Sequence, residues 1–74
     1  MRRYIIEPDG SSWVLRMFDR QDALISGPTA ESAKEQAFEF VRQGAPCRIL
    51  VMAEVLEVWQ LERVDGEWER GMET

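Results

Sequence analysis

Residues 48–70 read RILVMAEVLEVWQLERVDGEWER. The reading of this stretch decides the fold, because it holds both the longest apolar run of the chain and most of its excess acid. A membrane-spanning helix needs about 20 consecutive apolar residues, and here the run 49–53 is broken at Glu54 and Glu57. β-Branched residues dominate the stretch and acids interrupt it with period two, which is the pattern of strands. With Ala53-Glu54 as a hairpin tip, Val51 faces Leu56 and Ile49 faces Val58 on one side. Met52 then faces Val55, Leu50 faces Glu57 and Arg48 faces Trp59 on the other. The first set makes an apolar core face, and the second a mixed face on which Arg48 can lie over the Trp59 ring. Ala-Glu is poor two-residue turn chemistry, so a longer loop is the alternative. Asp65-Gly66 is a better turn and would pair Arg63 with Trp68 in a last short strand.

Upstream, RYIIE at 3–7 is β-prone, and PDGSS follows with residues that preset or permit turn dihedrals. In WVLRMF, Trp13, Leu15 and Met17 alternate with Val14, Arg16 and Phe18, so the first three are read as buried. DRQD reads as a turn, ALIS as a third strand, and Gly27-Pro28 as its stop. Thr29 can accept hydrogen bonds from the free amides of a helix start, and Glu31 lies where the helix dipole favours negative charge. Helical spacing over 29–43 puts Ala30, Ala33, Ala37, Phe40 and Val41 on one stripe, with Phe38 at its margin and Glu31, Lys34, Glu35, Glu39 and Arg42 largely outside it. Gly44 suits a left-handed helix stop, and Pro46 prevents resumption. The expected fold is α+β: an antiparallel sheet of five or six strands in the order β-β-β-α-β-β, with one helix packed across a face. Trp13, Leu15, Phe40, Ile49, Val51, Leu56 and Val58 share the expected core.

The chain has 74 residues, 45% of them apolar and 31% charged, which indicates one globular domain over 1–74, ordered over 3–70, with a frayed tail at GMET. Its first apolar stretch, at residues 4–6, is too short for a secretory leader, and the single Cys47 reads as a small buried apolar residue. Both features point to a cytoplasmic setting. Residues 1–53 carry seven acids and seven bases, whereas 54–74 carry seven acids and two bases, so the whole net charge of −5 lies in the C-terminal segment. Direct nucleic-acid binding, which draws on Lys and Arg, is disfavoured, and a basic protein partner fits better.

Catalytic chemistry has little to stand on. Histidine is absent, which removes the commonest general base and metal ligand. Ser11, Ser12, Ser26 and Ser32 sit beside turns or at the helix start, where backbone hydrogen bonding is their ordinary use. ERVDGEWE lacks the regular acidic spacing of a calcium loop, and PDGSS has neither the glycines nor the lysine of a phosphate loop. No catalytic, metal or cofactor residues are assigned. Two surfaces remain as candidates. Leu50, Met52, Val55 and Trp59 form an apolar contact face rimmed by Glu54 and Glu57, which suits a second copy of the chain or another protein. Glu57, Glu62, Asp65, Glu67 and Glu69, with Trp59 and Trp68 as aromatic anchors, form an acidic partner-binding surface.

YIIEPDGSSWVLRM and TAESAKEQAFEFVRQGAPCRILV together resemble a family of short prokaryotic proteins of unknown function, with a Gly-x-x-Trp hairpin, an alanine-rich helix and a closing hairpin. The resemblance spans most of residues 3–61, and its marks, Asp9-Gly10, Trp13, Ala33, Ala37 and Gly44, are fold-keeping residues. The helix-Gly-x-Pro-strand-hairpin portion is also similar in layout to small phage-encoded anti-CRISPR inhibitors. That likeness implies a non-enzymatic inhibitor of a basic, nucleic-acid-handling protein. The alternative is a cellular accessory domain acting as a homo-oligomer.

Overall fold

A tight hairpin begins the chain, because β-prone runs flank a turn that glycine permits. In the computed structural model, which describes residues 1–71, β1 (Arg2–Asp9) pairs antiparallel with β2 (Ser12–Met17), Asp9 opposite Ser12. Gly10 takes φ +66° and Ser11 has no positive φ, the pattern of a type II′ turn, where the first central residue must be left-handed. β3 (Ala23–Gly27) follows antiparallel to β2. A bulge there sets Leu15 opposite Ile25 but Arg16 opposite Ala23, leaving Leu24 between them and 40% exposed.

α1 (Ala30–Phe40) starts as the sequence indicates: Thr29 Oγ1 accepts the amide of Ser32 at 3.0 Å. Ala33 and Ala37 are fully buried, so the helix lies close on the sheet. At the end of β3 a Cβ on Gly27 would stand 3.1 Å from the Ala33 nitrogen, so that approach needs glycine. The helix ends earlier than residue 43. A 3-10 turn over Arg42–Gly44 follows it, and Gly44 is not left-handed. Its hydrogen atom instead makes room for Arg2, whose guanidinium nitrogen would be 2.9 Å from an added Cβ. Arg42 and Gly44 thus turn the chain into β4 (Cys47–Val51) through a cis Ala45–Pro46 bond.

The strand order is β3-β2-β1-β4-β5-β6, with β5 (Glu57–Leu61) and β6 (Glu69–Arg70) closing the sheet. The α+β class, the six strands and the single helix across one face match the expectation. One pair differs: β4 lies parallel to β1, Tyr4 opposite Ile49 and Ile6 opposite Val51, so the sheet is mixed. The antiparallel rule holds for strands joined by short turns, but β4 is reached through a helical crossover, which can return the chain in the same direction. The tail expected to fray falls mainly on residues 72–74, which lie outside the described residues. Gly71 still donates to the Val58 carbonyl at 2.6 Å.

The β4–β5 register is one residue away from the hairpin with an Ala53-Glu54 tip. Ile49 pairs with Trp59, Leu50 with Val58 and Val51 with Glu57, and the connection runs over 52–56. A one-residue change turns every β5 side chain over. Trp59 and Leu61 therefore join the helix-covered core with Tyr4, Ile6, Leu15, Cys47, Ile49 and Val51. Val58 goes to the opposite face, and Leu56, in the loop, is 37% exposed. On the helix Phe38, not Phe40, packs against this core, Phe40 being 57% exposed. Ile6, Leu15, Ile49 and Leu61 are almost fully buried, each stabilising the fold by about 1.5–3 kcal/mol before entropy is counted. Among the described residues no helix is long and apolar enough to cross a membrane.

Candidate protein-binding surface

The C-terminal segment is built onto the helix by aromatic contacts. Phe38 stacks on Trp68 with ring centroids 4.6 Å apart and meets Trp59 edge-on at 5.3 Å. Trp68 Nε1 donates to the Phe38 carbonyl at 3.2 Å, satisfying one of the carbonyls left free at the helix end. Arg42 donates to the carbonyls of Val64 and Gly66 at 2.9 and 2.7 Å. The segment 62–68 is therefore fastened at both its middle and its end, and the Arg63–Trp68 pairing does not form. β6 begins one residue later, Glu69 opposite Gln60 and Arg70 opposite Trp59.

Trp59 and Trp68 are thus structural, and neither stands on an outward face as expected. The register change puts Trp59 under the helix. Arg48 consequently lies on the other side of the sheet, and the cations near the Trp59 ring are Lys34 at 5.3 Å and Arg70 at 5.7 Å. Glu57 is also engaged: its Oε1 accepts from Trp59 Nε1 at 2.7 Å and from Lys34 Nζ at 3.0 Å. Lys34 reaches Glu31 as well, at 2.8 Å. Sequence reading placed Lys34 outside the apolar stripe. Its i, i+4 spacing from Phe38 was the signal that it shares the Phe38 face.

Glu57 is held below the ordinary carboxylate range, mainly by the Trp59 indole N–H; burial opposes this, and Lys34 adds to it. Lys34 is raised: its partial burial would lower it, but hydrogen bonds to Glu31 and Glu57 outweigh that. A depressed carboxylate stabilises the fold above its unfolded pKa, and that contribution is lost as pH falls through the folded value. Glu57→Gln is therefore expected to lower the melting temperature at neutral pH, with the gap to wild type closing in acid. Melting curves that stay parallel across the pH series would contradict it.

Most of the charge left exposed in this segment is acidic, beside exposed Arg63 and Arg70. Glu62, Asp65, Glu67 and Glu69 are all exposed, and none takes part in an ion pair among the described residues. The four-residue apolar face is not assembled: Leu50 and Met52 lie on the side of the sheet away from the helix, Val55 is 69% exposed in the 52–56 loop, and Trp59 is on the opposite side. Among the described residues no three of His, Cys, Asp and Glu come together to hold a metal. Cys47 is fully buried, its Sγ 3.8 Å from the Val41 carbonyl, and burial pushes the thiol up while Arg2 and Arg42 act the other way.

Comparison with protein-family models, with curated proteins and with solved structures finds no match to this chain.

Proposed function

We propose that the protein is a non-enzymatic binding protein whose segment 62–70 meets a Lys/Arg-rich surface of another protein. The observation that carries this is the pairing of two properties in one segment. Glu62, Asp65, Glu67 and Glu69 are exposed and have no ion-pair partner among the described residues. The loop that presents them is fixed by Arg42 and Trp68. A fixed acidic loop loses little conformational freedom on docking and supplies a directional field that speeds encounter with a basic surface. Surfaces that bind nucleic acid are basic for the same electrostatic reason, so the finer form of the proposal is an inhibitor that occupies such a surface, the role implied by the anti-CRISPR-like layout. A cellular accessory domain working as a homo-oligomer is the second reading, favoured by the partly apolar sheet face opposite the helix.

The triple change of Glu62, Glu67 and Glu69 to Gln separates partner binding from simple protection of the edge strand β6. Capture from an extract of the source cell should be lost or slowed by at least about tenfold, wild-type complexes should dissociate as salt rises, and the melting temperature should hold. If charge only keeps the edge from pairing with other strands, the triple variant will aggregate while every captured protein stays bound.

A further inference from the structure

Burial stops abruptly along the chain at Leu61. That residue, at the end of β5, is 1% exposed, whereas none of residues 62–71 is buried. Each of β1 to β5 and α1 contributes at least one buried residue, and β6 contributes none. Residues 62–71 are held instead by a few bonds near solvent. Their ladder with β5 is two pairs long, Trp59 with Arg70 and Gln60 with Glu69. Arg42 donates to the Val64 and Gly66 carbonyls, Trp68 stacks on Phe38 and donates to its carbonyl, and the Gly71 amide donates to the Val58 carbonyl. A segment with few buried apolar contacts opens at a lower free energy than the whole domain.

We propose that residues 62–71 form a strap that opens and closes as one unit on a body, residues 2–61, that stays folded. The spacing of the fastenings makes it one unit. Trp68 stands two residues after Gly66 and one before Glu69, and an extended residue spans at most about 3.6 Å. The ring therefore cannot leave Phe38 without pulling on the Arg42 bonds on one side and on the ladder on the other. The body keeps its own fastenings when the strap lifts: Glu57 still accepts from Lys34 and Trp59, and Lys34 stays near the Trp59 ring. Phe38 and Trp59 lose cover, and Arg70 leaves its place 5.7 Å from the Trp59 ring. The device deepens the binding reading and takes its use from it. Only the closed strap holds Glu62, Asp65, Glu67 and Glu69 in one arrangement, and a basic partner seated on them selects that state.

Amide hydrogen exchange of the purified protein, followed residue by residue by NMR, tests the strap without any partner. The Gly66 amide, bonded to the Arg63 carbonyl, and the Gly71 amide lie on either side of Trp68 and report on it. Both should show equal protection, at least about tenfold below that of the β1 and β4 amides. Arg42→Met keeps the side-chain stem and removes the donors to 64 and 66, and Trp68→Phe keeps a ring on Phe38 and removes the indole N–H. Each variant should quicken Gly66 and Gly71 by one common factor and leave the β1 and β4 amides and the circular dichroism unchanged. Equal protection in the strap and the central strands, no response to either variant, or a response confined to one glycine would each overturn the strap. Capture of no basic partner, with this exchange pattern intact, would overturn the binding reading alone.

Discussion

Ile49→Asp is expected to leave no folded protein at room temperature, while Val58→Asp melts cooperatively within about 1 kcal/mol of wild type. Ile49 is fully buried between Tyr4 and Trp59 on neighbouring strands. A carboxylate there is desolvated without a partner, at a cost of several kcal/mol, comparable with the roughly 5 kcal/mol at the low end of domain stabilities. Val58 lies one strand further out, opposite Leu50, on the face away from the helix and only partly buried. Chemical denaturation of the two variants checks the pair. An unfolded Val58→Asp would restore the register with the Ala53-Glu54 tip, in which both residues share the core, and a folded Ile49→Asp would contradict both registers.

Phe38→Ala should destabilise by about 2–4 kcal/mol, less than the full loss for a wholly enclosed ring, because it removes two aromatic contacts at once. Those are the stack on Trp68 and the edge contact with Trp59. Both indoles then become wetter, so tryptophan emission should shift to longer wavelength before any unfolding, and amide exchange in 62–68 should quicken. Phe40→Ala, at a ring 57% exposed, is the control and should change stability by no more than about 0.5 kcal/mol. Equal effects at the two positions would show that the helix turns a different face to the sheet.

The local elements were legible because their causes are local. Gly10 allows the first turn, Thr29 caps the helix, the alternation of Trp13, Leu15 and Met17 sets one face of β2, and the closely spaced Ala33 and Ala37 mark the side of the helix that touches the sheet. The acidic surplus after residue 53 was also plain from composition, and the structure leaves Glu62, Asp65, Glu67 and Glu69 exposed. Their partner is not encoded in any such count.

Glu57 and Trp59 were misplaced for one reason. Either a two-residue or a five-residue loop connects β4 to β5 with an acceptable pattern, because Leu56 and Val58 are as apolar as Trp59 and Leu61, and alternation alone cannot choose between adjacent registers. Tertiary packing chooses. Phe38 and Lys34 come down from the helix onto β5, where an aromatic ring can pack and a carboxylate can be paired, and Trp59 with Glu57 supplies both. The parallel union of β1 with β4 is likewise beyond local reading, since it joins residues some 45 positions apart. Sequence by itself determined the number and kind of elements, through turn, cap and period. The side each strand shows to the helix, and the neighbour each strand takes, were decided only when distant side chains competed for the same enclosed space.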